Sequence, residues 1–170
     1  MNISMIAKLK GLEDFLSSYS KKDVNKSFDG KSLLFYSISN NNLDARYAIS
    51  NYLLDKGAQV TGVNEENETL LHILLSRINH DLPKTIELCE RLITEGVDIN
   101  KVDKKNRLAL QYLINMKYTD QELKPLYVLW FSQSKVLVNI KNDWGKSPLE
   151  LAESMPYRQE LVRIMREYGV

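Results

Sequence analysis

The sequence predicts an all-α protein, a single domain over residues 1–170 in which helix pairs stack into a solenoid and β-hairpin-like loops join the pairs. Two observations predict this fold. A tetrapeptide rich in apolar residues recurs four times at nearly constant spacing, and turn-forming residues precede each copy. The composition, 44% hydrophobic and 26% charged, lies in the ordinary globular range, so the chain is able to bury a core.

The repeated tetrapeptides predict helix starts. They begin at Ser32, Thr69, Leu108 and Ser147, so that successive copies lie 37, 39 and 39 residues apart. Ser and Thr before an apolar run are typical helix N-caps, and Pro148, which follows Ser147, favours the first position of a helix. Because the third copy begins with leucine, we expect its helix to be the least sharply capped.

Turn-forming residues stand at fixed positions before every tetrapeptide. Two residues earlier come residue types that accept a positive φ, namely Gly30, Asn67, Asn106 and Gly145. Three residues earlier again come small polar side chains able to hydrogen-bond the turn backbone, namely Ser27, Asn64, Asp103 and Asn142. Each unit is therefore predicted to begin with a turn that leads into a helix.

A second helix is predicted in each unit. Thr119 opens a capping box, and Asp81 stands as an N-cap before apolar residues that recur at helical spacing. Gly96 ends that helix, and Gly57 ends the equivalent helix one unit earlier. Stacked pairs of this kind share a continuous core, which one short pair alone cannot bury.

The repeat divides the chain into four units at about residues 23–59, 60–98, 99–137 and 138–170. Residues 1–22 precede them, and apolar positions within residues 3–20 predict one helix that covers the open N-terminal end of the stack. The last helix, at about residues 157–168, mixes apolar and charged side chains, a composition suited to the other end.

These motifs resemble the ankyrin-repeat family, whose units carry Gly-Ala-Asp-Val-Asn and then Asp-x-x-Gly-x-Thr-Pro-Leu-His. Residues 57–72 match both elements without a gap, and residues 96–110 do so again. The resemblance covers about residues 23–170. The period exceeds the family's ~33 residues. The surplus falls between the two helices of a unit, which predicts either longer first helices or longer loops.

The resemblance implies a protein that binds other proteins through hairpin fingertips and the adjacent concave helix face. Carried over by position, four fingers hold the variable residues: Phe28, Asp29 and Lys31; Glu65, Glu66 and Glu68; Lys104, Lys105 and Arg107; Asp143, Trp144 and Lys146. The same register places six further candidates on the concave side: Ser39, Asn40, Ser76, Arg77, Asn115 and Met116.

The second finger is acidic, the third is basic, and each outer finger carries an aromatic residue. Such a surface suits the steering and anchoring of a partner. The alternative for the charges is that the second and third fingers pair with each other. The alternative for Trp144 is that its ring lies flat on the neighbouring finger instead of contacting a partner.

Catalysis, cofactor binding and metal binding are not expected. His72 stands at the last position of the family's Thr-Pro-Leu-His motif, where the resemblance implies hydrogen bonds to turn backbone. Cys89 lies on the apolar face of a helix, where a buried thiol is inert. With His80 as the only other histidine, the chain lacks an obvious set of zinc ligands. We find no glycine loop that would hold phosphate.

We therefore expect a cytoplasmic, monomeric adaptor or inhibitor that binds a partner protein. Analogy with small stand-alone microbial ankyrin proteins suggests neutralisation of a toxin or effector. The net charge of +1 and the acidic second finger argue against nucleic acid, and no apolar run is long enough to span a membrane. The alternatives are nucleic-acid binding through the basic third finger, and a self-associating structural protein.

Overall fold

In the computed structural model, residues 1–168 are described, and they form ten α-helices, two short 3₁₀ turns and no β-strand. The all-α prediction is confirmed. Positions 169 and 170, which end the predicted fourth unit, lie outside the described residues. None of the helices in the described part of the chain is long and apolar enough to cross a membrane.

From the third helix onward, helices of six residues alternate with longer ones. The ten helices are α1 (Ile3–Leu9), α2 (Leu12–Ser18), α3 (Leu33–Ile38), α4 (Leu43–Asp55), α5 (Leu70–Leu75), α6 (Leu82–Glu95), α7 (Ala109–Ile114), α8 (Asp120–Phe131), α9 (Pro148–Glu153) and α10 (Gln159–Tyr168). The 3₁₀ turns cover Lys21–Asp23 and Pro156–Arg158.

The helices form two layers. Helices α1, α3, α5, α7 and α9 contact one another in succession, and α2, α4, α6, α8 and α10 do the same. The core includes Leu33, Leu34, Leu70 and Leu71 of the first two tetrapeptides, all fully buried. Because burial of a leucine stabilises a fold by about 1.5–3 kcal/mol, the repeated tetrapeptide supplies packing as well as helix starts.

The helix caps are those that the sequence predicts. Thr69 and Thr119 each form a capping box, and the Ser147 hydroxyl accepts the amide of Glu150 at 3.1 Å. Leu108 provides no side-chain cap, as expected for the third unit. Gly96 ends α6 with a φ of 120°. These predictions are confirmed.

The N-terminal segment differs from the prediction of one helix over residues 3–20, which is wrong. Lys10 is extended and Gly11 is the N-cap of α2, so the chain turns between two short helices. The physical reason lies in Asn40, whose amide donates to the carbonyls of Ala7 and Lys10 at 2.9 Å each. These bonds satisfy carbonyls at the end of α1, and α1 and α2 form a pair that packs on α3 and α4.

The long period is not explained by the first helix of each unit. Helices α3, α5 and α7 have six residues each, so the expectation of longer first helices is wrong. The loops cover residues 39–42, 76–81 and 115–119.

Buried arginines hold these loops. Arg158 is fully buried and donates to three carbonyls in and next to the loop at 115–119, at 2.5–2.8 Å. Arg46 donates to the carbonyls of Asn40 and Asn79 at 3.0 and 2.7 Å, and so ties two successive loops together. The last helix was predicted to begin at about residue 157, but Pro156–Arg158 form a 3₁₀ turn in which the Arg158 side chain is buried.

Candidate functional site

The second, third and fourth fingers share one turn geometry. In each, one side-chain oxygen accepts two backbone amides, at 2.9–3.1 Å: Asn64 from Glu66 and Glu68, Asp103 from Lys105 and Arg107, Asn142 from Trp144 and Lys146. The chain bends at a positive φ of 60°, 58° and 75° at Asn67, Asn106 and Gly145. The turns predicted from these residues are confirmed.

The first finger is built differently. Phe28 and Lys31 exchange two backbone hydrogen bonds of 2.8 and 3.1 Å around Asp29 and Gly30, which both have positive φ. This is a two-residue hairpin. Ser27 was expected to hydrogen-bond the turn, but within residues 1–168 its side chain makes no such bond. Phe28 is half-buried, so its ring serves packing more than contact.

Neighbouring turns are joined by backbone. The amide of Lys104 donates to the carbonyl of Glu66, and the amide of Asp143 to the carbonyl of Lys105, both at 3.0 Å. The side-chain amide of Asn106 also donates to Asp143 at 2.8 Å. Residues 64–68, 103–107 and 142–146 therefore form one continuous surface feature, which we call the ridge.

Side chains of the tetrapeptides donate hydrogen bonds to the backbone of the ridge. His72 Nε2 donates to the carbonyl of Arg107 at 2.8 Å, and Gln111 Nε2 donates to the carbonyl of Lys146 at 3.0 Å. His72 Nδ1 accepts the amide of Thr69 at 3.1 Å, as the resemblance implied for turn backbone. Burial lowers the pKa of His72, so the ring stays neutral at pH 7. The side chains of one unit thus fix the finger of the next.

The opposite charges of the second and third fingers do not pair with each other. Within residues 1–168, no ion pair joins Glu65, Glu66 or Glu68 to a cation of the third finger. Arg107 instead contacts Asp103 of its own turn at 2.8 Å.

Burial disfavours the charged form of Asp103, but hydrogen bonds from the Arg107 and Lys105 amides and from the Arg107 guanidinium outweigh it. The pKa of Asp103 therefore lies below its usual value. The exposed charges of Glu66 and Lys105 remain open to a partner.

Trp144 is the most exposed aromatic side chain described, with 61% of its surface open. Lys105 Nζ lies 5.4 Å and Arg107 Cζ 5.7 Å from the ring centroid. These are cation–π distances. The ring is therefore oriented by cations of the neighbouring finger while most of its surface stays open.

The predicted finger residues divide by exposure. Eight are exposed: Asp29, Glu65, Glu66, Lys104, Lys105, Asp143, Trp144 and Lys146. Four are half-buried: Phe28, Lys31, Glu68 and Arg107. Glu68 accepts the side-chain amide of Asn64 at 2.9 Å, and the Lys31 ammonium lies 5.1 Å from the Tyr36 ring centroid. The half-buried residues thus contribute to the structure of the turns.

The predicted concave-side residues also divide. Ser76, Arg77, Asn115 and Met116 line one groove of about 210 Å³ between two loops. Asn40 is instead buried and holds α1. Sequence reasoning missed Ile78, Tyr112 and Lys117, which line the same groove. The available signal was Ile78, an apolar residue within a polar loop segment.

The side chains of Cys89 and His80 are engaged in packing or in hydrogen bonds. Cys89 is fully buried, and burial raises the pKa of its thiol to about 12. His80 is engaged at both nitrogens, with Thr85 and with the Arg77 carbonyl at 2.8 and 2.9 Å. Among the described residues, no group of three or more His, Cys, Asp or Glu side chains is placed to hold a metal ion.

The chain was compared with protein families, curated proteins and solved structures. No family model and no curated protein matches the sequence. The crystal structure of a functionally unknown protein from Leptotrichia buccalis C-1013-b is similar to the chain, with 30% sequence identity and a TM-score of 0.85. The match covers 98% of this chain and 92% of that chain. The chain therefore belongs to the same family as this Leptotrichia protein.

Proposed function

We propose that the chain is an ankyrin-like solenoid that binds a partner protein, as an adaptor or inhibitor, with the ridge as its main contact surface. The repeated turns, the two helix layers and the matching motifs support the solenoid. The observation that carries the binding proposal is Trp144, an exposed ring oriented by Lys105 and Arg107 on a hydrogen-bonded backbone.

A preformed contact surface binds with a smaller entropy loss. The turn bonds of Asn64, Asp103 and Asn142 order the ridge before a partner arrives, and ordering loops at an interface is one of the main costs of association. Tryptophan and arginine are enriched among residues that dominate binding energy. The exposed lysines and glutamates steer a partner of complementary charge.

Nucleic acid fits the ridge less well. The charge of Arg107 is already engaged by Asp103, and the backbone bond from Lys104 to Glu66 fixes an acidic finger beside the basic one. Phosphates would meet repulsion there. Self-association through Trp144 is a second alternative, and light scattering would detect it as a dimer that Trp144→Ala converts to a monomer.

The test is a quantitative affinity purification from the source organism's lysate, treated with nuclease. It compares the wild type with a Trp144→Ala, Lys105→Glu double variant. The matched control is Val128→Ala, Lys84→Glu, which removes one exposed apolar and one exposed basic residue from the second helix layer. We expect a protein that the wild type and the control retain and the ridge variant loses.

Equal retention by all three proteins would contradict a ridge contact and move the site to another surface. Loss of every partner after nuclease treatment would favour nucleic acid. The identity of a retained protein also decides the narrower proposal that the chain neutralises a toxin or effector, because such a partner would itself be harmful when the chain is absent.

A further inference from the structure

The loops at residues 76–81 and 115–119 leave a groove between them, with a volume of about 210 Å³. Leu75 and Met116, only 2% and 5% exposed, form its base. Ile78 stands at the rim with 69% of its surface exposed. The groove therefore offers apolar surface with room for a large side chain, which sets it apart from an isolated exposed residue.

The groove is also positively charged. Arg77 and Lys117 line it, and its lining contains no carboxylate. Within residues 1–168 neither cation takes part in an ion pair. The Arg77 guanidinium donates a long hydrogen bond of 3.4 Å to the Ser76 hydroxyl, and its Nε has no hydrogen-bond partner. A carboxylate would complement both charges.

The walls of the groove are held in place. Tyr112 lies under the Arg107 guanidinium, 5.0 Å from the ring centroid, and its hydroxyl donates to Asp103 at 3.3 Å. The two loops are tied together where the amide of His80 donates to the Tyr118 hydroxyl at 3.0 Å. The shape of the groove therefore exists without an occupant.

We propose that this groove takes an apolar side chain of a partner protein whose segment carries an aspartate or glutamate beside it. The apolar side chain covers Leu75, Met116 and Ile78, and the carboxylate pairs with Arg77 or Lys117. This inference rests on the proposed function, since it names the chemistry of a segment that the binding module recognises. It adds a contact separate from the ridge.

The test uses a display library of short random peptides, selected on the full chain, with affinities then measured by fluorescence anisotropy. We expect selected peptides to share a large apolar residue with Asp or Glu nearby. Ile78→Asp and Lys117→Glu each change an exposed residue and leave the fold intact, which circular dichroism checks. Each is expected to weaken binding by about tenfold or more.

Two control variants separate this proposal from the ridge. Lys84→Glu, a charge reversal on α6, is expected to leave peptide affinity within about twofold, whereas a loss of affinity in Trp144→Ala would place the peptide on the ridge. Peptides without a carboxylate, or binding that the groove variants do not change, would overturn the inference. So would a selection that yields no binder. Peptide binding that only Trp144→Ala removes would overturn it as well, while supporting the ridge as the contact surface.

Discussion

The ridge and the loops between the helix layers, at opposite ends of the short helices, are held by different means. At the ridge, one local motif recurs, and Asn64, Asp103 and Asn142 each close their own turn. At the loops, each link is a different side chain that reaches another unit, as Arg46 and Arg158 do. Each turn of the ridge is thus closed by short-range bonds of its own residues, whereas the loops depend on long-range bonds from buried arginines.

This difference affects stability. A turn that loses one local bond still has the backbone bonds of its neighbours. A loop that loses a buried guanidinium keeps several carbonyls without donors, and each such group costs about 1–3 kcal/mol. We therefore expect the long-range contacts of the loops, more than the turns of the ridge, to determine how stable the fold is.

The largest expected effect is that of Arg158→Ala. The Arg158 guanidinium is fully buried and donates hydrogen bonds to three carbonyls. It also lies 3.4 Å from the Asp120 carboxylate. We expect the free energy of unfolding to fall by about 3–5 kcal/mol, measured by urea unfolding.

The control is Arg163→Ala on α10, the helix that follows the 3₁₀ turn of Arg158. Arg163 is half-exposed and pairs with Glu160 and Glu167, so its removal is expected to lower the free energy of unfolding much less than the removal of Arg158. Equal costs for the two variants would contradict the view that the loop contacts dominate stability.

Asp103→Ala is expected to cost about 2–3 kcal/mol, and Asn64→Ala about 1 kcal/mol. Both side chains close a turn, but Asp103 also binds the Arg107 guanidinium and is 3% exposed. Because the folded state lowers the pKa of Asp103, its extra stabilisation is present above the unfolded pKa of about 3.9. It is lost as the pH falls through the folded pKa. Urea unfolding at neutral and acidic pH measures both effects, and equal costs at neutral pH would show that the ion pair contributes nothing.

Stability is expected to fall in mild acid through His80. Its Nε2 donates to the Arg77 carbonyl and its Nδ1 accepts from Thr85, an arrangement that requires the neutral ring. Burial lowers the pKa of His80 to about 4. The neutral form is therefore favoured by folding, and the stabilisation is complete above the unfolded pKa of about 6.5.

Between pH 7.5 and 5.0, His80 is expected to account for a loss of about 2 kcal/mol. The measurement is urea unfolding of the wild type and of His80→Gln at both pH values. His72 also has a lowered pKa, so His80→Gln is expected to remove part of the pH dependence and His72→Gln another part. An unchanged slope in His80→Gln would show that the ring is not held neutral.

The same contrast between short-range and long-range contacts decides which features could be predicted from the sequence. The turns, the caps at Thr69 and Ser147 and the end of α6 at Gly96 were predictable, because each depends on residues within a few positions of one another. The two-helix N-terminal segment was not, because the side chain that ends α1 is Asn40, about thirty residues away. The burial of Arg158 was not predictable either, because the carbonyls that it bonds lie about forty residues away.

Within the candidate site, the finger positions could be located but their exposure could not. Arg107 is half-buried because Asp103 lies in its own turn, whereas Lys105, two residues away, is exposed. The groove lies between loops of two successive units, which are about one repeat apart in the sequence. The repeat places Ser76 and Asn115 at equivalent positions, and both line the groove, whereas Ile78 and Lys117 lie in loop segments that carry no repeated motif.

The smallest expected effect on stability is that of Trp144→Ala, and it separates folding from binding most directly. The ring contributes only exposed cation–π contacts, so the free energy of unfolding is expected to change by less than about 1 kcal/mol. The other tryptophan, Trp130, is fully buried. Tryptophan fluorescence therefore has one exposed and one buried source.

A partner that covers the ridge is expected to shift the emission of the wild type to the blue, because binding removes Trp144 from water. Trp130 is buried with or without the partner. In Trp144→Ala, only the buried Trp130 remains, and the same addition of purified partner is expected to leave the spectrum unchanged. A partner that binds the wild type with full affinity but causes no spectral shift must contact a surface other than the ridge. The ridge would then serve structure alone.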